Sequence, residues 1–192
     1  MPQDLSAVRW PARTARLTIR PATPDDLDAT WTFRRLPEVT EWLTEHLPDR
    51  AAYAEKFLDP ERLRTTLVVE EGETVVGDLM VRIGDSWAQA EVAEQARGTQ
   101  AELGWTIDPA HGGRGLATEA VGEVLRICFE ELGLRRVVAL CFADNEPSWR
   151  LMERLGMRRE EHNLRDSLHR SGRWLDGYGY ALLAEEWRAG RA

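Results

Sequence analysis

Three glycines within four positions, Gly112, Gly113 and Gly115, separate a predicted strand from a predicted helix. Residues 101–107 alternate between two faces as a strand does, and residues 114–132 repeat apolar side chains at the 3.6-residue spacing of an amphipathic helix. Glycine lets a backbone turn tightly and approach a ligand closely. Because a helix begins with unpaired N–H groups and the positive end of its dipole, this junction predicts a phosphate-binding loop.

The glycine cluster does not match the two best-known nucleotide-binding motifs. No lysine follows the glycines, as a Walker loop requires. The cluster also lies beyond the middle of the chain, whereas a Rossmann fingerprint follows the first strand of its fold. An ordinary strand-to-helix turn is the alternative that the glycines alone leave open.

Two segments of the chain share their residues and their order with one enzyme family. Residues 112–117 read Gly-Gly-Arg-Gly-Leu-Ala, and residues 145–157 read Asn-Glu-Pro-Ser-Trp-Arg-Leu-Met-Glu-Arg-Leu-Gly-Met. They resemble the Gln/Arg-x-x-Gly-x-Gly/Ala loop and the Asn-x-x-Ser-x-x-x-x-Glu-Lys-Leu-Gly-Phe segment of the GCN5-related N-acetyltransferases (GNAT). The resemblance is closest to the ribosomal-protein N-acetyltransferase (RimJ/RimL-like) branch. Gly112 stands where that family has Gln or Arg, which removes one side-chain contact from a loop that works mainly through its backbone.

The predicted elements follow the order β-ααα-β-β-β-α-β-α-β-β, an α/β (α+β) arrangement. Strands are expected from Leu17 and at residues 65–70, 74–83, 101–107, 136–142, 157–163 and 174–183. Helices are expected after Thr23 and at residues 37–44, 49–58, 114–132 and 147–155. The resemblance implies the GNAT fold, a mixed, mostly antiparallel twisted sheet with splayed central strands and flanking helices. Residues 1–14 are expected to form a loosely held arm before a single acetyltransferase domain of residues 15–192.

The resemblance implies acetyl-CoA as the cosubstrate. The residues expected to hold its pyrophosphate are those of the loop and the following helix start: Gly112, Gly113, Arg114, Gly115, Leu116, Ala117 and Thr118. Backbone groups of Trp105, Thr106 and Ile107 would pair with the pantetheine arm, and Asn145 would be a further cofactor contact.

Two residues are expected to move protons during acetyl transfer. Glu102 shares a strand face with Gly104 and Thr106, and Gly104 leaves room beside its carboxylate for a substrate or a water molecule. The resemblance implies that Glu102 is the base for the amine and Ser148 the acid for the departing thiolate. The alternatives are a solvated strand carboxylate for Glu102 and a helix-capping hydroxyl for Ser148.

The composition limits the partners of the chain. A net charge of −8 argues against nucleic acid or an anionic membrane as a partner and mildly favours a cationic acceptor. The four histidines and two cysteines show no metal-site spacing, so no metal is expected. The two cysteines are expected to be reduced thiols, and together with the lack of a secretory segment they indicate a cytoplasmic protein. The expected acceptor is an amine, either a protein N-terminal α-amine or a small molecule such as an antibiotic, a polyamine or a metabolite. The alternative to an enzyme is a non-catalytic regulator that binds acyl-CoA. The sequence leaves the oligomeric state open, and a homodimer is one possibility.

Overall fold

A computed structural model describes residues 4–190. The strands are β1 (Ala12–Arg13), β2 (Leu17–Pro21), β3 (Thr66–Glu71), β4 (Thr74–Gly84), β5 (Gln100–Ile107), β6 (Arg136–Phe142), β7 (Arg158–Leu168) and β8 (Trp174–Leu183). The α-helices are α1 (Leu27–Arg34), α2 (Pro37–Thr40), α3 (Arg50–Phe57), α4 (Pro60–Thr65), α5 (Ala93–Ala96), α6 (Leu116–Arg126), α7 (Glu146–Arg154) and α8 (Ala184–Ala189). No helix between residues 4 and 190 has both the length and the apolar composition that crossing a membrane needs.

The eight strands form one sheet in the order β1-β2-β3-β4-β5-β6-β8-β7. Neighbours with a registered pairing are antiparallel, except β5 and β6, which are parallel. A parallel pair needs a long crossover connection, and α6 supplies it between β5 and β6. The predicted mixed, mostly antiparallel α/β fold is therefore confirmed.

The chain divides into two compact units, which we call the loop unit and the hairpin unit. The loop unit comprises residues 4–81 and 104–124. Its apolar core includes a cluster in which the Trp31 ring lies 5.2 Å from that of Tyr53, and Tyr53 stacks on Phe57 at 5.5 Å. These contacts bury the apolar faces of α1 and α3 and so hold the two helices together.

The hairpin unit comprises residues 82–103 and 125–190. The antiparallel β7–β8 hairpin lies at its sheet edge, and β6 pairs with β8 from Arg136↔Leu183 to Phe142↔Gly177. Trp187 of α8 packs its ring 5.6 Å from that of Phe129, which closes one end of the apolar core.

Residues 4–14 of the predicted arm are better packed than a loosely held segment, and residues 1–3 lie outside the described residues. Leu5 and Val8 are buried, the Trp10 indole donates to the Leu5 carbonyl at 2.7 Å, and β1 pairs with β2. Two-residue strands and single buried side chains leave no periodicity, so the sequence contains no pattern from which this packing could be predicted. The boundary at residue 15 stays a prediction.

Three further elements differ from their predicted lengths. Helix α6 is α-helical only to Arg126 and continues as a π-helix at Ile127–Glu131, instead of reaching residue 132 as one α-helix. Helix α2 ends at Thr40 instead of residue 44, since β-branched Val39 and Thr40 favour helix weakly and the Thr40 hydroxyl donates to the Pro37 carbonyl at 3.1 Å. Strand β7 continues five residues past Asn163, through the second of two shifts in its pairing with β8.

Candidate functional site

The glycine loop has the backbone geometry that its sequence predicts. The Gly112 N–H donates to the Pro109 carbonyl at 3.0 Å and closes a short turn before the loop. Gly113 and Gly115 then adopt φ of 71° and 78°, a left-handed conformation that other residues rarely tolerate. Helix α6 starts at the next residue, Leu116, whose side chain is 1% exposed and fixes the helix start in the core.

The N–H groups of the loop are available to a ligand. Within residues 4–190, no backbone hydrogen bond is donated from Gly113 to Thr118, and the first helical bond is from Glu119 N–H to the Gly115 carbonyl at 3.1 Å. Residues 112–115 are solvent-exposed. Six consecutive donors at the positive end of a helix are an anion-binding arrangement, and the geometry suits a pyrophosphate.

An ion pair that the sequence did not reveal holds the start of α6. The Glu119 carboxylate accepts from the Thr14 hydroxyl at 2.5 Å and from Arg16 Nε at 2.7 Å, and Arg16 Nη1 donates to the Arg114 carbonyl at 2.9 Å. Burial alone would raise the pKa of Glu119, but the bonds from Thr14 and Arg16 outweigh it and hold that pKa below its usual value. Arg16 thereby ties the loop to the start of β2.

The side chain of Arg114 is turned to a neighbouring carboxylate. Its guanidinium forms a two-bond pair with Glu71, at 2.6 and 2.7 Å. This hydrogen bonding lowers the pKa of Glu71, and His111 contributes further. In this structure Arg114 therefore offers its backbone, and not its side chain, to a ligand of the loop.

The end of β5 lies close to β4 within the loop unit. A Cβ at Gly77 would lie 2.5 Å from the Thr106 carbonyl oxygen, so only glycine permits this approach. The Asp108 N–H donates to the Val76 carbonyl at 2.9 Å and fixes the strand end. Thr106 is 7% exposed and its hydroxyl makes no hydrogen bond in the structure, while Trp105 and Ile107 are half-buried.

Glu102 lies in the hairpin unit, on the part of β5 that pairs with β6. The registered pairs run from Gln100↔Arg136 to Glu102↔Val138. Its carboxylate is 3.3 Å from the guanidinium of Arg82 on β4, and its side chain is 37% exposed. A partly exposed carboxylate on a strand is accessible to water and to a ligand that approaches this face of β5.

Asn145 and Ser148 lie together at the start of α7. Asn145 is the N-cap, and its side chain makes no capping bond; its carbonyl accepts from the Ser148 N–H at 3.1 Å. Ser148 is the third residue of the helix, so its hydroxyl is not the cap. Instead that hydroxyl lies beside the Cys141 thiol. Burial raises the pKa of Cys141 to about 11, while the charge of Arg159 and the hydrogen bond with Ser148 act to lower it.

The predicted site residues thus form two groups. Residues 105–107 and 112–118 belong to the loop unit, and Glu102, Asn145 and Ser148 belong to the hairpin unit. Sequence reasoning missed Arg16, Arg82, Glu119 and Cys141, because their partners are distant in the chain or carry no motif.

The family model of the acetyltransferase (GNAT) domain matches residues 16–158 of this chain. The chain belongs to the GNAT acetyltransferase family. GNAT enzymes use acetyl-CoA as cosubstrate, so the loop geometry and the family agree.

The matched GNAT relatives are bacterial proteins. The uncharacterized N-acetyltransferase p20 of Bacillus licheniformis is 29% identical over 91% of this chain and 96% of its own length. YnaD of Bacillus subtilis is 40% identical over 45% of this chain, and the match spans only half of YnaD. YdaF of the same organism, provisionally assigned as a ribosomal N-acetyltransferase, is 38% identical over 46% of this chain and 48% of its own length. The L-amino acid N-acetyltransferase AaaT of Escherichia coli is 24% identical over 88% of this chain and 99% of AaaT.

Solved structures agree on the GNAT fold. A GNAT acetyltransferase from Bacillus anthracis superimposes with a TM-score of 0.76 at 27% identity, covering 91% of this chain and 98% of that one. The spermidine N-acetyltransferase of Vibrio cholerae, solved with CoA and spermine, has a TM-score of 0.74 at 18% identity and covers 91% and 99%. At that identity the second likeness establishes the fold alone.

Proposed function

We propose that this GNAT domain transfers an acetyl group from acetyl-CoA directly to a primary amine, and that the acceptor amine is an α-amine. The observation that supports it most is the row of six unoccupied N–H donors from Gly113 to Thr118. Backbone donors at a helix start suit the pyrophosphate of acetyl-CoA, and they need no side chain to do so.

The proposed chemistry assigns one proton transfer to each of two residues. Glu102 takes a proton from the ammonium form of the acceptor, directly or through water. The amine nitrogen then forms a C–N bond to the acetyl carbonyl carbon as the C–S bond breaks, and the amine's second proton leaves to solvent. Ser148 donates its hydroxyl proton to the departing thiolate and regains one from water.

Two arguments favour an α-amine as the acceptor. The α-amine of a peptide N-terminus titrates near 8 and a lysine side chain near 10.4, so at neutral pH a peptide α-amine loses its proton more readily by about two to three pH units. YdaF, provisionally assigned as a ribosomal N-acetyltransferase, and AaaT, an L-amino acid N-acetyltransferase, point in the same direction.

The cofactor assignment is tested by changing one glycine of the loop. Gly113 and Gly72 both have positive φ, at 71° and 65°, and a Cβ at either would meet nothing within 4 Å. Gly113→Ala and Gly72→Ala should therefore lose similar stability, about 1 kcal/mol. Only Gly113→Ala should weaken acetyl-CoA binding in calorimetric titration, since its new methyl group lies in the ligand loop.

The control ligands are ATP and NAD, which should bind much more weakly than acetyl-CoA. Equal affinity of the two glycine variants for acetyl-CoA would show that the loop is not part of the binding site. If ATP bound as tightly as acetyl-CoA, the cofactor assignment itself would fail.

A small-molecule amine is the second candidate acceptor. The net charge of −8 attracts cations over long range, which favours a polyamine or an aminoglycoside-like substrate. A non-catalytic regulator would bind acetyl-CoA but would release no coenzyme A with any amine. Measuring coenzyme A release therefore distinguishes a regulator from an acetyltransferase of α-amines or of small molecules.

A further inference from the structure

An open cavity of about 1040 Å³ lies in the hairpin unit, between the end of β6 and the tip of the β7–β8 hairpin. Its lining includes the charged or polar side chains Asp144, His162, Arg165, Arg173, Asp176 and Tyr178. None of the roles assigned above uses these side chains. The cavity is large enough for a small metabolite or the end of a peptide.

Arg165 is held in the cavity wall by an unusual backbone conformation. The pairing of β7 with β8 shifts between Asn163 and Ser167, and Arg165 lies within this irregular stretch. Its φ of 49° makes it the one non-glycine residue with positive φ among residues 4–190. Such strain persists only where the surroundings hold it, and irregular strand pairing re-aims side chains, often beside functional sites.

Asp176 supplies that support and is fully engaged in it. One carboxylate oxygen accepts the Arg165 N–H at 2.9 Å, and the other accepts from His162 Nε2 at 2.8 Å. The bond from His162, followed by that from Arg165, lowers the pKa of Asp176, so the carboxylate stays ionised. Each oxygen of Asp176 therefore already accepts one hydrogen bond from a residue of β7.

The arginines of the cavity have hydrogen-bond donors to spare. In the described part of the chain, the Arg165 guanidinium forms no hydrogen bond and no ion pair within 4 Å. Arg173 approaches only Asp144, at 3.8 Å, and both side chains are largely exposed, so this pair is weak. Guanidinium groups bind carboxylates through two parallel hydrogen bonds, which gives both affinity and orientation.

The cavity adjoins the segment that contains Ser148. Ala143 and Asp144 line it, and Asn145 and Ser148 follow directly in the chain. The Trp149 indole donates to the Ala143 carbonyl at 3.1 Å and fixes this corner. A ligand held in the cavity therefore lies next to the start of α7.

We infer that this cavity binds the carboxylate of the amine acceptor through Arg165 and Arg173, with Asp176 as the residue that positions Arg165. The inference rests on the proposed function and narrows it to acceptors that contain both a primary amine and a carboxylate. A free amino acid supplies both groups in one molecule. A peptide supplies the carboxylate from an acidic side chain near its N-terminus.

Binding of product-like probes tests this inference without turnover. N-acetyl-L-alanine and N-acetyl-L-alaninamide differ by the carboxylate alone, and amidated acetyl-Ala-Asp and acetyl-Ala-Asn peptides differ in the same way. Calorimetric titration of the full chain should show the carboxylate member of one pair binding on the order of tenfold more tightly than its amide. The pair that shows the preference identifies the source of the carboxylate.

Two variants should abolish that preference. Arg165→Asn removes the guanidinium while asparagine tolerates the left-handed backbone, and Arg173→Gln removes the second cation without any backbone demand. Arg97→Asn, at an exposed arginine that does not line the cavity, should keep the preference.

The inference is overturned if neither probe pair shows a preference, if no probe binds, or if the preference survives in both Arg165→Asn and Arg173→Gln. Acetyl-CoA turnover on a probe amine is measured separately. Turnover without any carboxylate preference would support the proposed function and would show that the cavity does not bind the acceptor's carboxylate.

Discussion

At the scale of single residues, Glu102 and Ser148 lie in different surroundings. Glu102 is partly exposed and lies beside Arg82, as a proton acceptor in contact with water should be. Ser148 lies beside a thiol of high pKa, Cys141, which is a poor acceptor for its proton.

Glu102→Gln should lower kcat/KM on the order of 10²-fold or more, the usual contribution of a positioned base. The deficit should be largest at low pH, where nearly all of the amine is protonated, and should shrink as the pH approaches the pKa of the amine. The matched control is Glu94→Gln, another carboxylate paired with an exposed arginine. A pH-independent loss, or an equal loss in the control, would contradict the role of Glu102.

Ser148→Ala should cost a smaller factor than Glu102→Gln, since a thiolate can depart without full protonation. Affinity for acetyl-CoA should be unchanged, and the loss should appear in kcat. The Cys141→Ala variant serves as the control, because it removes the neighbour of Ser148 and leaves the proton donor in place. Equal losses of kcat in the two variants would indicate that both act only through local packing.

At the scale of elements, the start of α6 depends on a contact with the segment just before β2 that spans about 100 residues of sequence. Glu119→Gln should destabilise the protein by about 1–3 kcal/mol at neutral pH, because it removes the charge from bonds to Thr14 and Arg16. The pKa of Glu119 is lowered in the folded state, so its stabilisation is complete above the ordinary pKa and is lost as the pH falls through the folded value.

Thermal unfolding across pH checks this expectation. The difference between Glu119→Gln and the unmodified protein should be full at pH 7 and should disappear at acidic pH. Glu73→Gln, at an exposed glutamate in the β3–β4 turn, should change little at either pH. A Glu119→Gln difference that is the same at pH 7 and pH 3 would show that the carboxylate charge contributes nothing.

Elements with strong periodicity or a turn motif could be predicted from the sequence. The start of helix α6, strand β6 and the β3–β4 hairpin lie where their patterns indicate. Strand β7 was predicted too short, because nearly all of its residues are exposed and no apolar alternation marks its extent. The short helices α4, α5 and α8 have too few turns to generate a readable pattern.

At the scale of the whole molecule, the predicted site residues are spread over two units, each with its own packing. The sequence could identify the loop and the Asn145–Ser148 segment, because both are contiguous motifs. It could not identify the contacts of Arg16 and Arg82 or the support of Arg165 by Asp176, because those depend on which strands become neighbours. The negative net charge does not extend to this cavity, where two arginines and a histidine face two carboxylates.

The most direct test of the account is mass spectrometry of a mixed amine panel incubated with acetyl-CoA. The panel contains peptides with free N-termini and internal lysines, amino acids, polyamines and amine antibiotics. The account predicts acetylation at α-amines, with release of one coenzyme A per acetyl group and little modification of lysine side chains. Acetylation confined to polyamines or antibiotics, or tight acetyl-CoA binding with no acetylated product at all, would contradict it.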